Sequence, residues 1–547
     1  MTSAAPELYS LENLLAGHDD APAFVEQGKT VSRGQLRAAS AAAAHGLRAL
    51  GFQRGDVLAL WLPNGLAWVQ LLFAAARLGV LIVPISTRYQ APEVKHLLEV
   101  SRARGIVAAT RFLDTDYAAV AQRLKAEVAT LELVLALEDV TSFMPFAGVV
   151  SGVAPAATPG VTPGADNATL ADAGRDGAAL LCCFSTSGTT GPPKLAAHRH
   201  DSIARHAHYV AHALDIRPGN AMLCVLPFFG VFGFMAVLSA LAGGAACVSM
   251  PVYHAGAAAH AIARHRISHV IGADTMFDAM MQIEGADFSS WRRAVQADFA
   301  GLTLAVTQRG ADLGIAFSGT YGSSECYSLM SFQNFDAGVE QRAQAGGVPV
   351  DPDITVRIVD PETGRVLDAS GGGQVLGEPG EIQIRGPNLL AAYLNNPEAT
   401  ARAMTADGWF RSGDLGYRDG AGFVYLARMG DSLRLRGYLV SPAEIENCLM
   451  QHASVGGAQV VGVKRAGQGD VAVAYVIAAA AQAGPSTGAV PPAPDESNLL
   501  AHCRTSMAAY KVPVRIILIG EFPAINGPNG NKIQKRVLRE WAQQLLV

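Results

Sequence analysis

Long apolar runs, paired cysteines and blocks of basic charge are all missing from this 547-residue sequence, and each absence removes a class of protein. The longer apolar stretches, such as Phe234 to Val248, are interrupted by glycine. They stop short of the roughly 18 residues that suggest a membrane span. The seven cysteines show no metal-ligand spacing, and Cys182 and Cys183 are neighbours inside an apolar run. Reduced thiols of a cytoplasmic protein are therefore expected. Met1 to Leu15 carries Glu7 and Glu12 and lacks the basic start and apolar centre of a signal peptide. Charged residues make up only 16%, with a formal charge of -5 and no long basic block. That argues against a nucleic-acid partner and for a small-molecule one. What is plentiful is apolar surface to bury: 50% of residues are hydrophobic, and the length calls for two or more domains.

From Tyr9 to Leu50 the pattern is helical around a short strand pair near Ala23 to Val31. Asp56 to Trp61 then reads as a strand, Trp68 to Leu78 as a helix and Gly79 to Pro84 as a strand. Glu93 to Ala103 is a further helix and Gly105 to Ala109 a further strand. This alternation predicts βαβ units and a parallel sheet. Ala147 to Ala179, rich in Ala, Gly, Pro and Thr, reads as a surface excursion. Leu223 to Phe234 is expected to turn from a buried strand into a core helix, and His265 to Asp274 and Phe277 to Ile283 to be another strand and helix. Ile354 to Asp360 and Gly380 to Arg385 alternate as strands of a small antiparallel sheet or barrel. Near the end, Ser441 and Pro442 look like the N-cap and first residue of a helix. The strands Val460 to Val463 and Val471 to Ile477 and the helix Leu499 to Ser506 follow.

Chemistry concentrates in Ser185-Thr-Ser-Gly-Thr-Thr-Gly-Pro-Pro-Lys194, which follows the apolar strand Ala178 to Phe184. Gly188 and Gly191 let the backbone come close to an anion. The hydroxyls of Ser185, Thr186, Ser187, Thr189 and Thr190 donate to phosphate oxygens, and Lys194 supplies charge. An ordinary Gly/Pro turn is the plain alternative. A Walker loop is not, because Leu195 stands where that motif needs Ser or Thr. The nearby His198, His200, His206, His208 and His212 put two imidazoles on one helical face, but without an acidic ligand among them a metal site is not expected.

The loop resembles, almost letter for letter, the phosphate loop of the acyl-adenylate-forming enzymes, which include acyl-CoA synthetases, luciferases and adenylation domains. Three more segments, in the family's order, extend the resemblance from Leu11 to Trp541. Ile315 to Glu325 resembles the family's strand followed by Tyr-Gly-x-Thr-Glu. The resemblance implies that Tyr321 stacks on adenine, that Gly322, Ser323 and Ser324 lie at the nucleotide and that Glu325 holds Mg²⁺. Gly322 suits a sharp turn. A solvated turn would be the reading of this stretch alone. Gly408 to Gly416 matches the family's ribose segment, which makes Asp414 the ribose ligand and Arg428 a contact to ribose and phosphate. Pro528 to Arg539 resembles the terminal lysine motif, with Asn531 in place of its glycine, so that Lys532 is the catalytic candidate.

The same resemblance implies an α/β protein: a large N-terminal domain of flanked sheets with a small β-barrel-like subdomain, residues 1–429, and a small mobile α+β C-terminal domain, residues 430–547. Gly430 falls at the expected hinge. Arg436 and Gly437 belong to the turn that faces the site during thioester formation. Phe229 and Gly230 border the acyl pocket, where Gly230 replaces the usual histidine. The purine-contacting segment would fall near Ala300 and Gly301. The implied reaction is ATP- and Mg²⁺-dependent activation of an apolar fatty or aryl carboxylate, with release of pyrophosphate, then transfer to coenzyme A with release of AMP. A free-standing ligase that loads a carrier protein is the alternative acceptor reading, and a nucleotide-binding regulator without turnover a more distant one.

Overall fold

The computed structural model describes residues 9–138, 176–186, 193–298, 302–361, 363–367, 377, 380–429, 433–436, 438–440, 442–465, 469–479, 494–527 and 530–546. The expected surface excursion, the middle of the phosphate loop and the Ala300-Gly301 segment fall largely or wholly outside these residues. So do Gly430, Gly437 and Ser441.

Two sheets dominate the large N-terminal domain. One has seven strands, in the spatial order Ala392–Tyr393, Lys194–Arg199, Leu180–Thr186, Leu81–Pro84, Val57–Trp61, Gly105–Ala109 and Leu133–Leu137. Its middle strands pair in parallel, as the alternating pattern predicts. The other follows a 13-stranded path. Pro22–Glu26, Ala246–Ser249, Ala221–Cys224, His269–Ala273, Arg293–Ala297 and Ala316–Ser323 form its parallel part. Beyond Ala316–Ser323 every pairing is antiparallel, and this end contains Thr355–Val359 and Gly380–Arg385.

Alternation along each strand splits the apolar residues between two cores. Leu58 and Leu60 face the main core with Ile82, Cys182 and Phe184. Ala59 and Trp61 face the other side with Val83 and Cys183. The main core also takes Met222, Cys247 and Ile271 from the long sheet, so it lies between the sheets. The helix Leu66–Leu78 runs through it with every residue buried except Arg77. A helix apolar on all sides is stable only when enclosed in this way.

The small C-terminal domain is a five-stranded sheet built on the long antiparallel pair Val455–Arg465 and Gly469–Ala478. Helices Pro442–Met450, Glu496–Ser506 and Lys535–Leu545 accompany it. Its own core collects Ile445, Leu449, Val460, Ala474 and Leu499. All seven cysteines are free and buried. No helix among the described residues is long and apolar enough to cross a membrane, and none of their His, Cys, Asp and Glu side chains form a metal-binding group of three or more.

Candidate active site

Two strand ends open the site. Leu180–Thr186 runs past Phe184 into the loop motif, and Lys194 begins the next strand, Lys194–Arg199, which sequence periodicity did not reveal. Thr186 and Lys194 are register partners in this antiparallel pair. Ser185, Thr186 and Lys194 line a cavity of about 1860 Å³. Ser187, Gly188, Thr189, Thr190 and Gly191 lie outside the described residues.

Opposite stands the turn between Ala316–Ser323 and Tyr327–Phe332, with Tyr321, Gly322, Ser323, Ser324 and Glu325 on the cavity wall. Gly322 is there for a reason other than the expected turn. It belongs to the strand itself, and a Cβ would sit 2.3 Å from the Tyr327 carbonyl oxygen. Close backbone approach, not left-handed backbone, demands glycine. Glu325 accepts a hydrogen bond from the Tyr393 hydroxyl at 2.9 Å, and the Lys194 ammonium lies 4.8 Å from the centre of the Tyr393 ring. Tyr393 thus contacts both Glu325 and Lys194. Nothing in its sequence neighbourhood marks it for this task.

Asp414 lies on Phe410–Asp419 and is the register partner of Arg428 on the next strand, Gly422–Arg428, so that the antiparallel pairing brings the two positions side by side. Of the Arg428 side chain nothing is described. Asp414 accepts the Tyr321 hydroxyl at 2.6 Å, and the Tyr321 ring packs edge-on against Phe423. Both residues line the cavity.

The apolar end of the cavity is formed by Phe229, Gly230, Val231 and Phe232 with Tyr253, Met276 and Leu304. Buried Asn64 holds this segment in place, donating to Leu226 and accepting from the Phe228 amide at 2.9 and 2.8 Å. Gly230 is the N-cap of helix Val231–Ala242, with φ -94 and ψ 143. A Cβ there would meet nothing nearer than the Pro227 oxygen at 3.5 Å, whereas at Gly233 it would fall 2.3 Å from the same atom. Glycine is sterically required at 233 and optional at 230.

The small domain closes one side through Arg436, Glu444, Lys464, Asp470, Tyr510 and Lys511. Arg436 has φ 49, uncommon for a side chain with a Cβ. Lys511 is almost fully buried and binds Glu93 of the large domain at 2.7 Å and Glu444 of the small one at 2.5 Å. Lys532 occupies the strand Gly530–Ile533, paired with Ala524–Gly527, and its side chain lies outside the description.

The donor set suits a hard cation shared with phosphate. The cavity offers the Glu325 carboxylate beside the hydroxyls of Thr186, Ser323 and Ser324, and no thiol or imidazole among its described lining residues. Magnesium is characteristically held by one or two carboxylates together with substrate phosphates. None of the five histidines near the loop lines the cavity. His198 and His206 are buried and contact backbone carbonyl oxygens, and His208 packs edge-on against Tyr9.

Family comparison agrees with this geometry. Residues 11–394 match the model of the AMP-binding enzymes and residues 444–526 that of the AMP-binding enzyme C-terminal domain. The chain is 31% identical, over 97% of its length and 98% of the relative's, to a methyl-dioxo-octahydroindenyl-propanoyl:CoA ligase of Mycobacterium tuberculosis. It is 30% identical, over 91% of both chains, to a feruloyl-CoA synthase of an Amycolatopsis species. Among solved structures, the amide bond synthetase McbA of Marinactinospora thermotolerans superposes with a TM-score of 0.78 at 24% identity, covering 98% of this chain and 100% of that one. The o-succinylbenzoate CoA synthetase of Bacillus subtilis gives a TM-score of 0.76 at 22% identity, over 97% and 98%. With both family models matched in order and a relative 31% identical over nearly the whole chain, the chain belongs to the AMP-binding enzymes of the acyl-adenylate-forming superfamily.

Proposed function

We propose that this chain is an AMP-forming acyl-CoA ligase for a carboxylic acid with an apolar acyl group, fatty or aryl. The observation that carries the reading is the convergence of Lys194, Glu325 and Asp414 with the apolar Phe229–Phe232 wall on one cavity. At about 1860 Å³ it exceeds the roughly 300–1,000 Å³ of a typical single-ligand site, which leaves room for a nucleotide beside an acyl group.

In the first step a carboxylate oxygen of the acid attacks the α-phosphorus of ATP, and the bond to the pyrophosphate oxygen breaks. In the second the coenzyme A thiolate attacks the acyl carbonyl carbon, and AMP leaves. The protein's contribution is alignment and charge. Ser185, Thr186 and Lys194 are assigned to the β- and γ-phosphates, Asp414 to the ribose hydroxyls and Tyr321 to the adenine. Glu325 would hold magnesium, which would supply neutralising charge to the phosphates. Arg428 and Lys532 are assigned to the α-phosphate end on their motifs. We further propose a domain division at 429/430 with Gly430 as the hinge, and Arg436 and Gly437 as the turn that serves thioester formation.

ATP–pyrophosphate exchange across a panel of carboxylates, followed by thioester formation with coenzyme A or a carrier protein, tests the reading. Exchange stimulated by apolar acids and product formation with coenzyme A are expected. Absence of exchange with every acid overturns it. In the same assay Lys532→Ala is expected to lower adenylation by about 10²–10³, the usual cost of one preorganised group at developing charge. Thioester formation from pre-made acyl-adenylate should change far less. Equal losses in both steps would remove Lys532 from the assigned role.

Gly230→Phe addresses the acyl wall. Because the backbone at 230 accepts a side chain, the variant is expected to fold and to narrow the pocket. Each methylene that can no longer be buried forfeits about 0.8 kcal/mol, so kcat/KM should fall more steeply as the acid lengthens. A uniform fall across short and long acids would place Gly230 outside the pocket.

A further inference from the structure

Behind the turn that carries Ser324 and Glu325 lies a buried stack that the proposed chemistry does not use. The His198 ring packs against Tyr327 with centroids 4.1 Å apart, and the His206 ring stacks on Tyr327 at 5.1 Å. Each imidazole also reaches a carbonyl of this segment. His198 Nε2 lies 2.7 Å from the Ser324 oxygen and His206 Nε2 2.9 Å from the Ser328 oxygen. Both rings are fully buried. A carbonyl oxygen can only accept, so the ring nitrogen that faces it carries a hydrogen and donates it.

The segment they hold does not sit at ease. Tyr327 and Leu329 have φ 58 and 63, in the left-handed region that bulky residues avoid. Such a conformation persists only where surrounding contacts over-determine it. Further contacts come from another segment: Leu390 N–H donates to the Glu325 carbonyl and Asn388 to the Cys326 carbonyl, both at 2.7 Å. His198 belongs to the strand Lys194–Arg199, four residues after the lysine of the phosphate loop.

We infer that His198, supported by His206 through Tyr327, is a positioning residue of the nucleotide site that sets Ser324 and Glu325 relative to Lys194. The inference rests on the nucleotide reading of the cavity.

The test compares three substitutions at His198 by steady-state ATP–pyrophosphate exchange. His198→Met keeps bulk and removes the donor. His198→Gln places an amide nitrogen the same number of bonds from Cα as Nε2, and His198→Asn stops one bond short. His198→Met and His198→Asn are expected to raise KM for Mg·ATP about 5–10-fold, the equivalent of one hydrogen bond, while KM for the carboxylate stays unchanged. His198→Gln is expected to bring KM for Mg·ATP most of the way back. Should the Met variant fail to fold, the Gln–Asn pair alone decides. Equal changes in both KM values, an unchanged KM for Mg·ATP with only a lower melting temperature, or no difference between Gln and Asn would each overturn the inference. Failure of the wild-type chain to exchange with any acid would instead overturn the nucleotide reading.

Discussion

Glu325→Gln is expected to lower ATP–pyrophosphate exchange by about 10²–10³, the loss typical for removing one preorganised group at developing phosphate charge. The substitution is chosen for its geometry. A glutamine carbonyl still accepts the Tyr393 hydroxyl, which lies 2.9 Å from Glu325 Oε1, so the side chain keeps its anchor while its charge disappears. The backbone is held independently by the Leu390 amide on the Glu325 carbonyl at 2.7 Å. What is lost is the anionic oxygen that a hard cation requires. Tyr393→Phe makes the complementary change, leaving the charge and removing its anchor. It should cost about tenfold, in line with one hydrogen bond to a charged group. A Glu325→Gln rate within about tenfold of wild type at saturating magnesium would show that Glu325 is not the cation's ligand.

Acidification from about pH 7 to about pH 5 is expected to lower the stability of the large domain by several kcal/mol. Burial holds His198 at about 3 and His200, His206 and His269 at about 4, all below the ordinary value of 6.5. In this window the unfolded chain binds protons at these positions and the native chain does not, so stability rises with pH and falls on acidification. Each histidine contributes about 2 kcal/mol over these two units. Glu12 and Glu93, whose carboxyl pKa values burial raises, act in the opposite direction. Melting temperatures followed by tryptophan fluorescence between these pH values provide the measurement. His200→Leu should flatten the slope. Neither ring nitrogen of His200 has a hydrogen-bond partner among the described residues, so the change sacrifices no such bond. A melting temperature independent of pH would rule out neutral buried imidazoles.

Much of the fold was legible because its signals are local. Strands such as Gly105–Ala109 and Gly380–Arg385 appear where apolar runs or alternation place them, within a residue or so. The helix beginning at Pro442 follows its proline. Among the strands that escaped this reading are Lys194–Arg199 and Tyr327–Phe332, each directly after a motif whose glycines and hydroxyls read as loop. Pairing with a neighbouring strand, not the intrinsic pattern, makes them strands.

The sequence by itself determined the chemistry on offer: the order of the phosphate, Tyr-Gly, ribose and lysine motifs, an α/β architecture and the apolar segment around Gly230. Residue type and short spacing carry that information, because they decide what a loop can donate and which face a side chain takes. Only the tertiary structure decided who holds whom. Tyr393 reaches Glu325 from 68 positions along the chain, and His198 reaches Ser324 from 126. Lys511 meets Glu93 across 418. Gly322 and Gly233 are glycines because another stretch of backbone occupies the space of a Cβ, while Gly230 has that space open. Such contacts arise from how sheets and helices pack once their apolar faces are buried, and no local pattern of residues records which partner the packing will bring.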